Sequence, residues 1–315
     1  AGFTVTETGG STATSETGTS DTVTVVLDKG PLTDVVITVT SNDTGECTVS
    51  PASLTFTSAN WNTPQSITVT GVDDDIIDGT QNVTITMSID DASSNDNFDP
   101  LTDQTVTATN TDDDTAGFSV TETDGSTTTG ETGTTDTFTV VLDKGPLTDV
   151  VITVTSADTG ECTVSPASLT FTSANWNTPQ SVTVTGVDDD IIDGPQNVTI
   201  TMSIDDASSN DSFDGLADQT VSASNADDDS AGMILSAAEL TIAENAGTGT
   251  FTAALSAEPA SNVAITITST DTDECTASPA SLTFTPANWD TPQTVTVIGV
   301  DDDATGNDTA LIILS

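Results

Sequence analysis

An internal repeat constrains this chain more than any other feature of its sequence. The segment Leu27–Ser41 recurs unchanged as Leu142–Ser156, and Thr44–Ser66 recurs unchanged as Thr159–Ser181, in both cases 115 residues later. A third, diverged copy begins at Ala231. A repeat of this length is a complete folding unit, so the chain is expected to divide into tandem domains. The predicted domains are residues 1–115, 116–230 and 231–315, the last of them incomplete at its C-terminal end.

Apolar and polar residues alternate within each copy. Val, Ile and Leu occupy every second position in residues 22–27, 35–41 and 82–89, and Thr or Ser stands between them. Period-two alternation between turn-forming clusters predicts strands that are buried on one face, and no stretch has helical periodicity. A unit of this size with about seven short strands is typical of a two-sheet sandwich. We therefore predict an all-β fold of tandem Ig-like antiparallel β-sandwiches arranged head to tail.

The charge of the chain is almost entirely negative. Its 315 residues include 50 Asp and Glu, 2 Lys and Arg and no His, for a formal net charge of −48. Nucleic-acid phosphates and anionic lipid head groups would be repelled, so neither is an expected partner. Two carboxylates about 4 Å apart repel each other by roughly 4 kcal/mol at an effective dielectric near 20, so water or cations must separate them. Without His, and with three isolated Cys, the chain is expected to be non-catalytic.

Counting strand directions places many of the acidic loops at one end of each sandwich. Successive antiparallel strands reverse direction, and in the first copy this brings together Glu16, Asp43, Asp73–Asp75, Asp78 and Asp112–Asp114. Convergent carboxylates are what calcium requires, because it takes six to eight oxygen ligands. Adjacent side chains of an extended run point in opposite directions, so one triplet is expected to serve two ions, or one ion and solvent. The alternative is that these loops are simply solvated turns, in which Asp is common.

Three motifs at these positions resemble the Calx-β family, a calcium-binding repeat of exchanger regulatory domains and of giant bacterial surface proteins. They are TSETG at Thr14–Gly18, GVDDDIIDG at Gly71–Gly79 and TNTDDDTAGF at Thr109–Phe118, together with the block Ala59–Asp75. The chain departs from the family where IIDG follows the first triplet, since the exchanger domains carry a denser acidic stretch there. Glu7 and Glu122 are alternative glutamates, but only Glu16, Glu131 and Glu244 keep the same spacing to the following Leu.

The resemblance implies that calcium is the cofactor and that its ligands come from equivalent positions of the three copies. The implied ligands are Glu16, Asp43, Asp73, Asp74, Asp75, Asp78, Asp112, Asp113 and Asp114 in the first copy, Glu131, Asp158, Asp188, Asp189, Asp190, Asp193, Asp227, Asp228 and Asp229 in the second, and Glu244, Asp271, Asp301, Asp302 and Asp303 in the third.

Three further residue types leave alternatives open. Cys47, Cys162 and Cys275 are too far apart to pair within the chain, so each is a half-buried free thiol or a link between molecules. The Trp of each copy either caps the end of a core or stacks on a glycan. Lys29 and Lys144 lie in the loop opposite the acidic end, where each can meet the acidic end of a neighbouring repeat.

The function expected from the sequence is that of an extracellular, cell-surface segment. We expect a structural or adhesive array, in which calcium between repeats produces a stiff rod or filament. The partners would be calcium ions and neighbouring repeats or copies of the chain. Two alternatives are a glycan-binding module and a self-assembling filament subunit that is completed by strand exchange.

Overall fold

The computed structural model describes residues 1–244, 246–301 and 308–315, and the regular secondary structure of this part of the chain is almost entirely β-strand. The first repeat has ten strands, β1 (Phe3–Glu7), β2 (Thr12–Ser15), β3 (Ser20–Leu27), β4 (Val35–Ser41), β5 (Cys47–Ser50), β6 (Ser53–Phe56), β7 (Gln65–Gly71), β8 (Ile76–Ile77), β9 (Gln81–Ile89) and β10 (Gln104–Thr111). All of them except β8 form a four-stranded sheet in the order β1-β3-β7-β5 and a five-stranded sheet in the order β2-β10-β9-β4-β6.

The second repeat has the same two sheets, β11-β13-β18-β16 and β12-β20-β19-β15-β17. Its strands are β11 (Phe118–Glu122), β12 (Thr127–Gly130), β13 (Thr135–Leu142), β14 (Gly145–Pro146), β15 (Val150–Ser156), β16 (Cys162–Ser165), β17 (Ser168–Phe171), β18 (Gln180–Gly186), β19 (Gln196–Ile204) and β20 (Gln219–Ala226). Short 3-10 turns lie at Thr8–Gly10, Asp91–Ser93, Thr123–Gly125 and Asp206–Ser208.

The third repeat has a four-stranded sheet, β21-β22-β26-β24, and a three-stranded sheet, β25-β23-β27. In the second of these, β27 pairs with β23 as β9 pairs with β4 in the first repeat. The strands are β21 (Met233–Leu235), β22 (Thr248–Leu255), β23 (Val263–Ser269), β24 (Cys275–Ser278), β25 (Ser281–Phe284), β26 (Gln293–Gly299) and β27 (Ile312–Leu314).

The alternation in the sequence fixes which face of each strand is buried. In β3, Val23, Val25 and Leu27 lie in the core, while the residues between them remain partly exposed. Removing a Val, Leu or Ile side chain from water contributes about 1.5–3 kcal/mol, so alternate positions of several strands together hold the two sheets face to face. Each repeat has its own cluster of buried apolar residues, in line with three tandem sandwiches. The predicted all-β sandwich fold is correct, and the domain boundaries themselves stay a prediction.

The chain crosses between the two sheets of a sandwich at two points that the alternation did not reveal. β1 and β2 belong to different sheets, and β2 pairs with β10 in parallel. β5 and β6 also belong to different sheets, and the chain changes sheet around the cis peptide bond between Ser50 and Pro51. With these crossings, the two sheets of each of the first two sandwiches contain nine strands rather than about seven, and one pair in each sandwich is parallel.

Consecutive repeats touch each other through backbone hydrogen bonds. β8 of the first repeat pairs in parallel with β14 of the second, and the amide of Gly145 donates to the carbonyl of Asp75 at 2.7 Å. The side chain of Ile77 packs against the core of the second repeat. The end of one sandwich is thus joined to the start of the next by paired main chain as well as by covalent linkage.

The three cysteines are more deeply buried than predicted. Cys47 and Cys162 are inaccessible to solvent and Cys275 is nearly so, and all three are free thiols. This burial favours the free-thiol alternative, and a link between molecules stays a prediction. Trp61 and Trp176 pack against the cores of their repeats, as expected of end caps.

No helix in the described residues has the length and apolar character needed to cross a membrane.

We expect Gly186→Ala to destabilise the second repeat. Gly186 is buried at the end of β18, where an added Cβ would collide with the Gly130 carbonyl oxygen and Asn225 Oδ1. Overpacking of this kind costs about 1–3 kcal/mol of unfolding free energy, measurable by guanidinium denaturation followed through Trp fluorescence. Gly215→Ala is the matched control, because nothing lies within 4 Å of a Cβ added there. Equal stability of the two variants would contradict this packing.

Candidate metal centre

The ends of seven strands meet at one end of the first sandwich, which we call its acidic pole. Strand register shows the convergence, since Ser20 pairs with Thr70, Cys47 with Gly71, and Gln81 with Asn110. The acidic pole consists of the loops that join these ends, residues 15–20, 41–47, 71–81 and 110–114. The equivalent loops of the second repeat form a second acidic pole, at residues 130–135, 156–162, 186–196 and 225–229.

Glu16 is the most deeply buried carboxylate of the first acidic pole, with 2% of its surface exposed. Its amide donates to the carbonyl of Thr111, and its Oε2 accepts a hydrogen bond from the amide of Asp113 at 3.4 Å. No donor reaches Oε1, which is also buried. Desolvation, reinforced by the charges of nearby aspartates such as Asp112 and Asp74, raises the pKa of Glu16 from 4.5 to about 7. A buried carboxylate with one oxygen lacking a donor is costly unless a proton or a cation is present.

Backbone amides hold the surrounding aspartates in place. Asp112 Oδ2 accepts from the amides of Asp78 and Gly79 at 3.1 and 2.7 Å, and its Oδ1 accepts from the amide of Asp114 at 2.7 Å. Asp74 Oδ1 accepts from the amide of Ile76 at 2.7 Å. These hydrogen bonds fix the loops while leaving other carboxylate oxygens free. Asp78 Oδ1 and Asp114 Oδ2 are buried without a donor, as is Glu16 Oε1.

The carboxylates of the first pole fall into two groups that share Glu16. One group is Glu16, Asp74 and Asp114, and the other is Glu16, Asp73 and Asp113. Within each group, one oxygen from every residue lies within 4.8 Å of the others. Two adjacent members of each triplet thus belong to different groups, as expected when neighbouring side chains of an extended backbone point in opposite directions. An all-oxygen donor set with unpartnered buried oxygens fits a hard cation such as calcium, to which second oxygens, carbonyls or water would complete the coordination.

The second pole also places aspartates around a buried glutamate, but one group of carboxylates is found there and its aspartates differ from those of the first pole. Glu131 is 2% exposed, its Oε2 accepts from the amide of Asp228 at 3.2 Å, and desolvation raises its pKa. Its group contains Asp227 and Asp229. Asp229 Oδ2 is buried without a donor, and desolvation raises the pKa of this side chain. Hydrogen bonds from the amides of Gly194 and Asp229 lower the pKa of Asp227, so that carboxylate stays charged.

In the third repeat, the described residues contain no comparable group. Glu244 is half-buried, Asp271 Oδ1 accepts from the amide of Asp273 at 3.1 Å, and Asp301 is exposed. Asp302 and Asp303 lie outside the described residues.

Several predicted ligands lie at the poles without joining a group. Asp43 and Asp158 are exposed and accept hydrogen bonds from the amides of Gly45 and Gly160, which stabilise their own turns. Asp75 contacts Lys144 instead of other carboxylates. The remaining predicted residues of the two poles that are outside these groups are Asp78, Asp112, Asp188, Asp189, Asp190, Asp193 and Asp228.

Sequence reasoning missed Glu46 and Asn110, which belong to the first pole. Asn110 is fully buried, its Nδ2 donates to Glu46 Oε2 at 3.1 Å and to the carbonyl of Val72, and its Oδ1 accepts from Thr14. Desolvation raises the pKa of Glu46, and the negative charges of Asp78, Asp74 and Asp43 raise it further. Asn225 and Glu161 repeat this contact at 3.2 Å. The strand count already placed Glu46 at this end, because it directly precedes β5.

Comparisons with known proteins leave the family of the chain open. No family model matches it, and no curated protein matches it. Solved structures that resemble it include domains 4 and 5 of the S-layer protein SbsC, with 16% identity, 72% of this chain and 98% of that chain covered, and a TM-score of 0.29. A second is the CBD12 segment of CALX1.2, with 13% identity, 63% and 79% covered, and a TM-score of 0.26. A third, domains 1–6 of SbsC, has 15% identity, 99% and 37% covered, and a TM-score of 0.30. Likeness at this level carries no argument about function.

In a chelator, we expect the unfolding free energy to fall as the pH rises from about 4.5 to about 7. A carboxyl group whose pKa is higher in the folded chain holds its proton more tightly there, so folding is favoured at low pH and this advantage is lost as pH rises through that window. Denaturant melts at pH 4.5, 5.5, 6.5 and 7.5 measure the slope.

The double variant Glu16→Gln, Glu131→Gln should lose much of this slope, because the buried amide does not ionise. Glu7→Gln with Glu122→Gln is the matched control, since it removes two charges outside the groups and keeps the slope. General charge repulsion acts in the same direction in all three proteins, so their difference reports on the buried glutamates. A wild-type stability that rises over the window would contradict the assignment.

Proposed function

We propose that this chain is a non-catalytic segment of an extracellular surface protein, in which calcium at the acidic poles stiffens an array of β-sandwiches. The observation that carries the proposal is the buried Glu16, which is shared by two carboxylate groups and has an oxygen with no donor. Glu131 in the second repeat supports it, because the same deeply buried glutamate recurs beside Asp227 and Asp229.

The donor chemistry favours calcium over softer metals. The groups offer carboxylate oxygens, without the imidazole nitrogens or thiolates that zinc and copper prefer. The ligands lie on loops that leave room for irregular coordination, whereas magnesium requires a near-ideal octahedron and retains most of its water. The ligands proposed for the first pole are Glu16, Asp73, Asp74, Asp113 and Asp114, with Asp78 and Asp112 beside them. Those proposed for the second are Glu131, Asp227 and Asp229.

The position of the poles links ion binding to the shape of the array. The loop that supplies Asp73, Asp74 and Asp75 continues directly into β8, whose partner β14 belongs to the next repeat. An ion that fixes this loop therefore also fixes the strand on which the following sandwich rests. The proposed consequence is a defined angle between repeats and a stiffer rod, as a structural or adhesive role at a cell surface requires.

Membership of the Calx-β family is part of the proposal. It is supported by the motifs at Thr14–Gly18, Gly71–Gly79 and Thr109–Phe118, because all three contribute to the same pole. The glycan-binding alternative has less support, since Trp61 and Trp176 pack against their cores. The strand-exchange alternative stays a prediction.

Calcium should raise the melting temperature of the chain, and a chelator should reverse the effect. An ion that binds only the folded state stabilises it by about 2.7 kcal/mol at one hundred times its dissociation constant and by about 4.1 kcal/mol at one thousand times. Calorimetry measures the melting temperature, and small-angle scattering measures the maximum dimension, which we expect to increase when calcium is added. Magnesium at the same concentration should have a smaller effect.

Variants separate specific binding from general screening of the charge. Glu16→Gln with Glu131→Gln should abolish most of the calcium-dependent rise, while Glu7→Gln with Glu122→Gln should retain it. A melting curve and a scattering length that do not respond to the chelator would refute calcium stiffening. An equal response of both double variants would show that calcium acts only as a diffuse counterion.

A further inference from the structure

A lysine of the second repeat reaches into the acidic pole of the first. Lys144 Nζ lies 2.6 Å from Asp75 Oδ1 and 2.6 Å from Asp114 Oδ1. The side chain of Asp114 is only 5% exposed, while that of Asp75 is 65% exposed. One ammonium group thus bridges the two triplets of the first repeat, and one of its two partners is shielded from water. Shielding matters because an exposed ion pair contributes little to stability.

The backbone beside Lys144 is hydrogen-bonded to the first repeat. The amide of Gly145 donates to the carbonyl of Asp75 at 2.7 Å, within the β8–β14 pair. A Cβ at Gly145 would collide with Ile76 Cδ1 and lie 3.0 Å from Trp176 Nε1. The lysine therefore extends from a fixed point of close contact, which reduces the entropy lost when its ammonium is held in place.

The junction between the second and third repeats keeps the backbone contact and lacks the lysine. The amide of Glu258 donates to the carbonyl of Asp190 at 2.6 Å, and Ile191 bridges to Glu258 as Ile76 pairs with Gly145. The residue before Glu258 is Ala257, which is buried and stands where Lys144 stands in the preceding copy. The second junction thus lacks a positive side chain and gains the carboxylate of Glu258.

The carboxylates that Lys144 would neutralise are present at the second junction. Asp190 and Asp229 occupy the positions of Asp75 and Asp114 in the repeat. Asp229 Oδ2 is buried without a donor, and Asp190 lies close enough to Asp229 to act on it electrostatically. Their mutual repulsion has no counter-charge in the sequence, because the chain has two basic side chains, Lys29 and Lys144.

We propose that Lys144 is a tethered cation that holds the first and second repeats in a fixed relative orientation without metal. The second and third repeats take up a fixed orientation only when a dissolved divalent cation neutralises Asp190 and Asp229. The first half stands on the contacts of Lys144 alone, and the second half rests on the proposed function. Asp114 can serve both roles, because Lys144 uses Oδ1 and Oδ2 has no donor. Calcium at the first pole then adds to an orientation that Lys144 already holds, whereas the second junction depends on calcium for its order.

Three equivalent surface positions allow both junctions to be measured in the same way. Ser53, Ser168 and Ser281 are exposed and each begins the corresponding strand of its repeat, β6, β17 or β25. Spin labels on Ser53→Cys with Ser168→Cys span the first junction, and labels on Ser168→Cys with Ser281→Cys span the second. The full-length chain is used with its native cysteines replaced by Ala, and circular dichroism melts verify folding. Pulsed electron spin resonance then gives the distance distribution in chelator and in calcium.

In chelator, we expect a narrow distribution across the first junction and a broad one across the second, which calcium narrows. In chelator, Lys144→Gln should broaden the distance distribution across the first junction, and Ala257→Lys should narrow the distribution across the second. Lys29→Gln is the matched control, because it removes the same charge from an identical local sequence outside both junctions. The role of Lys144 would be overturned if the two distance distributions were equally wide in chelator, or if Lys144→Gln left the distribution across the first junction unchanged.

Failure of the proposed function gives a different result. If isothermal titration detects no calcium binding but Lys144→Gln still broadens the first junction, the lysine contact stands and the calcium proposal fails. If calcium binds and narrows the distance distributions across both junctions of the wild-type chain equally, the calcium proposal stands and the proposed difference between the junctions is wrong.

Discussion

Mutual repulsion between carboxylates is the constraint on which this structure depends. A sandwich of this size is stabilised by alternate Val, Ile, Leu and Phe residues, but the chain must also place many of its acidic loops at one end of each repeat. Backbone amides reduce the cost by donating to Asp74, Asp112 and Asp227. The buried Glu16 and Glu131 are not fully compensated in this way, since desolvation raises the pKa of both. What neutralises these two side chains therefore governs the stability of the poles.

The sequence predicts the layers of this fold well and its crossings poorly. Strict alternation identifies the strands because burial of one face repeats every two residues. The identical blocks 115 residues apart identify the unit. Alternation does not reveal when a strand changes sheet. Cys47–Ser50 and Ser53–Phe56 both alternate, and the inward positions only shift by one residue between them, which a bulge or a turn within one sheet also produces. The convergence of Glu16 with the triplets followed from strand directions alone. Glu46 was missed because its role depends on a side-chain contact with Asn110 that no spacing encodes.

Local sequence also does not determine the environment of a pole. The two complete repeats are identical over long blocks, yet their groups differ, with Asp74 in the first and Asp227 in the second. Each pole faces a loop of the following repeat, the one after β13 or the one after β22. These two loops differ, with Lys144 and Gly145 in one and Ala257 and Glu258 in the other. An interaction of this kind becomes visible only when the contacts across the junction are known.

The pairing of β8 with β14 has a consequence for how such arrays diversify. A junction is composed of the acidic pole of one sandwich and the loop after β13 or β22 in the next, so its contacts depend on a pair of neighbours and on neither repeat alone. Reordering or deleting units therefore creates junctions that neither parent possessed, even when every sandwich keeps its core. The gain or loss of one repeat in a gene therefore changes the contacts at the new junction, while each sandwich keeps its own cluster of buried apolar residues.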